Sequence, residues 1–435
     1  MKTQEKLKQY LEKIKKEDKK INAFLELRDD KELLKEAKEL DAKKNKGKLA
    51  GKIIGIKANI CVKGLHASCA SKTLEDYKAA YDAEVVKRIK EEDGLIIGML
   101  NCDEFASGSS GETSAFGPTQ NPAAPGRIPG GSCSGSAAAI AAGFCDITLG
   151  SDTGGSIRSP ACHCGVVGVK PSHTAVSRYG LIDLAMSTDT IGALAKTVED
   201  VALMLEVISG KDDKDAICQS KKIKGMEKVK DIVVGVLDLS GLKVDKKIKD
   251  LIESKTKEFV EKNNWKTKLV KIENLDLAVE TYYPIVYVEA FSGTRKLDGR
   301  RFGKKVEDSC GPEFLRRILG GAEISKAEHA GRYYHLALKA KNLIVKEFEN
   351  AFKQVDCIVS PVVPILPWKI GEKISVEEAY ASDVLTIPSS LAGNCAMSVP
   401  VGDVGGIPVG MQIMCNKFQE EKLFGIGKEV EKINL

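Results

Sequence analysis

The sequence predicts an α/β protein, one compact domain carrying a helical insertion. Three observations lead there. Apolar runs of strand length alternate with amphipathic stretches of helix length along the 435 residues. Two glycine–serine turns open helical segments, and the second follows a strand-like run directly. No internal repeat and no linker divides the chain, although its length would hold about three average domains.

The elements follow in order. Residues 2–20 place Leu7, Tyr10, Leu11 and Ile14 on one face of a helix rich in lysine and glutamate. Residues 21–27 read as a strand. Asp30 opens a second charged helix that fades over residues 43–48. Acids match the lysines in both, which describes a charged helical flank over residues 1–48. Residues 51–60 form a glycine-punctuated strand with Lys57 near its end, and residues 95–100 form another apolar strand. The latter runs into Asn101-Cys102-Asp103-Glu104-Phe105-Ala106 and a loop of small residues. Residues 145–149 read as a strand. Thr197-Val198-Glu199-Asp200 is a capping-box start for a helix that Gly210 ends. A strand over 232–239 precedes a helix turning Ile248, Leu251, Ile252 and Phe259 inward. A further strand covers 265–272, residues 275–350 are mostly helical, and 356–364 and 407–415 return to strand.

Composition narrows the classes. With 66 basic and 61 acidic residues the net charge is only +5, which neither requires nor excludes nucleic acid. No apolar run reaches the roughly 18–20 residues of a membrane span, and residues 1–5 lack a signal peptide's apolar stretch. Twelve scattered cysteines without an export signal describe reduced thiols in the cytoplasm. Cys162-His163-Cys164 is too tightly spaced for the usual zinc pattern, so no metal site is expected. Only His66, His163, His173, His329 and His335 are present, so serine chemistry here calls for another base.

The chemistry concentrates in residues 127–172. Pro129-Gly130-Gly131-Ser132-Cys133-Ser134-Gly135-Ser136 and Leu149-Gly150-Ser151-Asp152-Thr153-Gly154-Gly155-Ser156-Ile157-Arg158 each deliver a serine to a helix start. Free N–H groups and the helix dipole favour negative charge there. Such a turn presents a nucleophile beside an oxyanion hole, and it equally suits phosphate. No glycine loop here ends in the Gly-Lys-Ser/Thr of a P-loop. Lys57 would snorkel to solvent in most strands; held inside, it loses its proton more readily and becomes a base.

Lys57, Ser132 in its turn and Ser156 in Asp152–Arg158 resemble, in order and spacing, the amidase signature family. Ser156 lies 24 residues after Ser132 and 99 after Lys57. Residues 101–106, Ser177-Arg178-Tyr179-Gly180-Leu181 and Lys296-Leu297-Asp298-Gly299-Arg300-Arg301-Phe302-Gly303 resemble one branch: the A subunits of tRNA-dependent amidotransferases. The resemblance implies a single domain over residues 1–435 with a mixed central sheet covered by helices. Residues 49–210 would hold the catalytic core and 240–350 the substrate-side insertion. It implies Ser156 as nucleophile, Thr153, Gly154, Gly155 and Ser156 as oxyanion hole, Ser132 as bridging serine after a cis bond from Gly131, and Lys57 as base. It implies Asp383, Arg316 or Arg317, and Tyr283 as the glutamine pocket. The chain itself would need no cofactor; B and C partner subunits would complete a heterotrimer that uses ATP and Mg2+ and holds the misacylated tRNA. A stand-alone amidase is the alternative. Ala58 departs from the family's usual aspartate, and Cys133 and Ser134 replace a serine and a glycine.

Overall fold

Eleven strands form one sheet in the computed structural model, which describes residues 2–433. They are β1 (Phe24–Leu27), β2 (Ile53–Lys57), β3 (Leu95–Leu100), β4 (Ile147–Asp152), β5 (Val167–Lys170), β6 (Thr190–Ala195), β7 (Val233–Leu237), β8 (Lys266–Val270), β9 (Cys357–Pro361), β10 (Cys395–Val404) and β11 (Ile407–Cys415). Their order across the sheet is β1-β3-β2-β4-β6-β5-β10-β11-β9-β7-β8. Two parallel blocks, β3-β2-β4 and β9-β7-β8, flank antiparallel pairings through β6, β5, β10 and β11. The sheet is therefore mixed, and helices cover it.

The N-terminal helix Thr3–Ile21 illustrates how charge and burial divide one segment. Leu7, Leu11 and Ile14 are buried in one cluster with Ala137 to Ile140 of the helix Ser134–Ala141, while the lysines face out. Full burial of side chains this size stabilises by about 1.5–3 kcal/mol each. The Asp29 side chain accepts from the N–H groups of Lys31 and Glu32 and so starts the second helix, Asp30–Ala42.

The structure differs from the sequence reading at several boundaries. The first helix runs to Ile21, so β1 begins only at Phe24. β4 begins at Ile147 and continues through Gly150 to Asp152, because Ser151 and Asp152 pair with Ile191 and Thr190 of β6. Thr197 caps its helix by accepting from the Asp200 N–H at 3.2 Å. Strands β5, β6 and β10 and the helix Glu420–Glu431 are additions. β5 is only four residues long, and β6 carries glycine and two alanines, weak strand formers in isolation. They are fixed because both are wholly buried and hydrogen-bonded to each other.

Candidate active site

Parallel pairing of β2 with β4 sets Ile54 beside Ile147 and Ile56 beside Leu149, so both strands end at one edge. Lys57 closes β2 and is fully buried. Its Nζ lies 2.8 Å from Ser132 Oγ, 3.0 Å from Ser151 Oγ and 3.3 Å from Cys133 Sγ. Asn59 donates through Nδ2 to Ser151 Oγ at 3.0 Å.

Ser132 follows a cis peptide bond from Gly131 and precedes Cys133, the N-cap of the helix Ser134–Ala141. The turn is braced by Asp103. Its N–H donates to Ser132 O at 3.1 Å, and its carboxylate accepts from the Gly111 and Thr113 N–H groups and the Thr113 hydroxyl. A Cβ on Gly131 would stand 1.8 Å from Asp103 Oδ2, so only glycine fits.

The Ser156 loop is suspended on a buried ion pair. Arg158 donates Nε to Asp152 Oδ2 at 3.0 Å and Nη2 to Oδ1 at 2.9 Å, both side chains being wholly buried. Its remaining N–H groups reach Thr386 O, Ser389 Oγ, Gln412 Oε1 and Ser390 Oγ at 2.7–2.9 Å. Burial alone would raise the Asp152 carboxyl; the charge and hydrogen bonds of Arg158 outweigh it and hold Asp152 below the ordinary carboxylate range. Gly155, at φ +152°, passes so close to Thr386 that a Cβ would lie 2.2 Å from its Oγ1. The Thr153 hydroxyl donates to Asp189 Oδ1 at 2.6 Å, and Asp189 Oδ2 accepts from the Leu184 and Ala185 N–H groups.

Ser156 keeps 8% exposure at the end of this loop. Its carbonyl accepts from the Cys133 N–H at 3.1 Å, which ties the two serine turns together. Among the described residues its hydroxyl has no hydrogen-bond partner. The N–H groups of Gly154, Gly155 and Ser156 likewise donate to no described acceptor, which leaves them free for an oxyanion. Lys57 and Ser132 are thus in direct contact, whereas Ser132 and Ser156 are joined through the backbone only.

Three influences meet on Lys57. Burial, the largest, pushes its pKa down, while negative charge on Cys133 and Cys102, and on Asp103 beyond them, pushes it up; thiolates at both cysteines would hold it above the ordinary lysine value. Burial also raises both thiols, Cys102 to about 12, so near neutral pH they are protonated and carry no such charge. What remains in direct contact is hydroxyl, thiol and carbonyl; burial also raises the Asp103 carboxyl and so weakens its pull, and burial of Lys57 then favours the free amine.

Beyond the nucleophile loop stands an aromatic wall carrying Arg317. The rings of Tyr283 and Tyr380 stack with centroids 3.5 Å apart, and the Arg317 guanidinium lies 5.5 Å from the first and 5.7 Å from the second. Arg317 is 5% exposed and donates Nε to Glu313 Oε1 at 2.9 Å; its Nη1 and Nη2 donate to no described residue. Arg316 instead turns to Glu313 and to Tyr287 OH at 2.7 Å, and is more exposed. Asp383 begins the turn that brings Thr386 against Gly155, accepting the Thr386 N–H at 3.0 Å with its carbonyl. Although Asp383 is partly exposed, its carboxylate accepts from no described donor. Burial, opposed mainly by Arg317, raises it to about 7.

Sequence reasoning brought forward Lys57, Ser132, Ser156, Tyr283, Arg317, Asp383 and Arg316; the last also reaches the aromatic wall, 5.2 Å from the Tyr380 ring, but its guanidinium donates to Glu313 and Tyr287 OH. The same reasoning passed over Ser151, Asn59, Asp189, Glu313 and the pairing of Asp152 with Arg158. A carboxylate and a guanidinium six residues apart, bracketing a serine, could have signalled the last. Ser151 was visible only through the β2–β4 register.

The arrangement can carry acyl transfer from a bound amide to a serine nucleophile, with a lysine as the base. Residues 5–424 match the Amidase family. The A subunit of the glutamyl-tRNA(Gln) amidotransferase of Methanocaldococcus jannaschii is 52% identical over 98% of this chain and 99% of its own. Its counterpart from Methanothermobacter thermautotrophicus is 49% identical over 99% and 95%. A crystal structure of the corresponding Thermotoga maritima protein superposes with TM-score 0.86 at 38% identity, covering 99% of this chain and 91% of that one. The peptide amidase of Stenotrophomonas maltophilia gives TM-score 0.84 at 25% identity over 99% and 93%. On the family match and these near-full-length relatives, the chain belongs to the amidase family.

Proposed function

We propose that this chain is the glutaminase subunit of a tRNA-dependent amidotransferase. Glutamine binds with its α-carboxylate on the free fork of Arg317, its α-ammonium on Asp383 and its carbon chain along Tyr283. Guanidinium and carboxylate match bidentately, which suits Arg317 to that end. The side-chain amide then faces Ser156.

The neutral amine of Lys57 takes the Ser132 proton as Ser132 takes that of Ser156. This relay needs one further hydrogen bond, from Ser156 Oγ to Ser132 Oγ, which forms when substrate orders the nucleophile. Ser156 Oγ attacks the amide carbon, and the N–H groups of residues 153–156 receive the oxyanion. Donors of this kind contribute roughly 3–4 kcal/mol each. The proton returns through the relay to the amide nitrogen, the C–N bond breaks, and ammonia leaves a glutamyl ester on Ser156. Water releases glutamate. Ammonia passes to a partner subunit, where ATP and Mg2+ would supply the activation of the glutamyl or aspartyl carboxylate carried by tRNA. The B and C subunits of a cytoplasmic heterotrimer fill that role, and tRNA contacts fall mainly to them.

The observation that carries the reading is the Arg317–Asp383 pair: a free fork and an unpartnered carboxylate beside the nucleophile loop. A stand-alone hydrolase of simple amides needs neither charge. The test is glutamine hydrolysis by the chain alone and with co-expressed partner subunits. Glutamate release in both, stimulated by the partners, is expected; hydrolysis of small amides with no turnover of glutamine would leave a stand-alone amidase.

A further inference from the structure

Lys57 has a second hydroxyl partner that the proposed relay does not use. Ser151 Oγ lies 3.0 Å from Lys57 Nζ, on the β4 side, while Ser132 Oγ contacts it at 2.8 Å from the turn. Ser151 is 2% exposed and is itself held on both sides. Asn59 donates to its Oγ at 3.0 Å, and the Cys133 thiol donates to its carbonyl at 3.2 Å. Asn59 is 1% exposed, makes no other side-chain hydrogen bond among the described residues, and leaves Oδ1 buried without a partner. Leaving a buried amide oxygen unpaired is costly. Ala58, fully buried, offers Lys57 no polar support from the adjacent position.

We propose that Asn59 and Ser151 are positioning residues that aim the Lys57 amine at Ser132. The inference rests on the reading of Lys57 as the base. A four-carbon side chain with one hydroxyl contact can swing; a second, anchored contact fixes the direction of Nζ. Ser151 supplies that contact, and Asn59 anchors Ser151. The β2–β4 register makes the arrangement possible, because it sets the end of β2 beside Gly150 and Ser151.

Positioning through a hydrogen bond to the ammonium has a signature in the pH profile. The groups facing Lys57 are Cys133 at the helix start, Cys102 and Asp103 after β3, and Cys69 after β2. None of them changes in the variants. Ser151→Ala removes an acceptor that favours the charged lysine, so the rise of activity with pH moves to lower pH, by about half a unit or more. Asn59→Asp adds negative charge behind Ser151, so the rise moves to higher pH. Ser151→Thr keeps the hydroxyl and the wild-type profile. Both Ser151→Ala and Asn59→Asp lower the plateau rate of glutamine hydrolysis about tenfold or more, because the amine is aimed less well.

The experiment measures pre-steady-state acylation by glutamine against pH for wild type, these three variants and Lys57→Ala, with melting curves to establish folding. Opposite shifts for Ser151→Ala and Asn59→Asp, with Ser151→Thr unshifted, are expected. Unshifted profiles in both, with Lys57→Ala inactive, would overturn this inference and leave the base intact. Turnover by Lys57→Ala near wild type would overturn the reading of the base as well.

Discussion

Two aspartates of the candidate site titrate in opposite directions. Asp152 is held below the ordinary range by Arg158, whose every N–H finds an acceptor. Asp383 is raised to about 7, with no described donor on its carboxylate and with Arg317 opposite it using only Nε. The first pair is closed and serves the fold of the nucleophile loop. The second is open, and its cost is offset only when a ligand brings its own two charges. Completeness of pairing separates structural charge from binding charge here, and residue type does not.

The largest expected effect comes from breaking the closed pair. Arg158→Met leaves Asp152 buried alone and should cost about 3–5 kcal/mol in urea unfolding, with loss of activity. Adding Asp152→Asn to it should recover part of that loss; no recovery would mean that Arg158 acts through its contacts to Thr386, Ser389, Ser390 and Gln412 instead.

At the open pair, Asp383→Ala should lower kcat/KM for glutamine by about 2–5 kcal/mol of transition-state stabilisation and spare a small amide lacking the α-amino group. Equal losses on both substrates would place Asp383 with Asp152, as a support of the fold.

The two aspartates also differ in their pH linkage. With a folded pKa of about 7 against an ordinary carboxylate value near 4, native Asp383 binds more protons than the unfolded chain between those pH values. The empty protein therefore loses stability as pH rises through that window, and Asp383→Asn should gain about 1 kcal/mol at pH 8, read as a higher Tm. Glutamine needs the carboxylate, so wild-type kcat/KM should fall as pH drops below 7, with Asp383→Asn lacking that limb. Asp152, depressed, keeps its contribution at neutral pH and loses it only as pH falls below the usual carboxylate range. The smallest effect is expected at Ala58→Asp: a change within about 1 kcal/mol and a pH optimum moved upward by added negative charge near Lys57. A switch of amide substrate in that variant would contradict a structural role for position 58.

The contrast also explains what could be read from the chain. Ser132 and Ser156 lie in glycine–serine turns whose chemistry is local, whereas Lys57 sits on a strand and joined them through the resemblance to the amidase signature family. Arg316 and Arg317 are neighbours in sequence, and only the helix Pro312–Ile324 decides that Arg317 is the buried one. Ser151 and Asn59 needed the strand register, and Asp152–Arg158 needed four acceptors from beyond residue 385 to show that the pair is closed. β5 and β6 stayed hidden because tertiary pairing, not propensity, makes them strands.

The central claim is that Ser156 carries the glutamyl group, with the open pair holding glutamine in place. Acid quenching during glutamine turnover, followed by intact-mass measurement and peptide mapping, tests it directly. A glutamyl ester on the peptide containing Ser156, absent in Ser156→Ala and scarce in Asp383→Ala, is the expected result. An adduct on Ser132 or Cys133, or a Ser156→Ala variant that still turns over glutamine, would contradict the account.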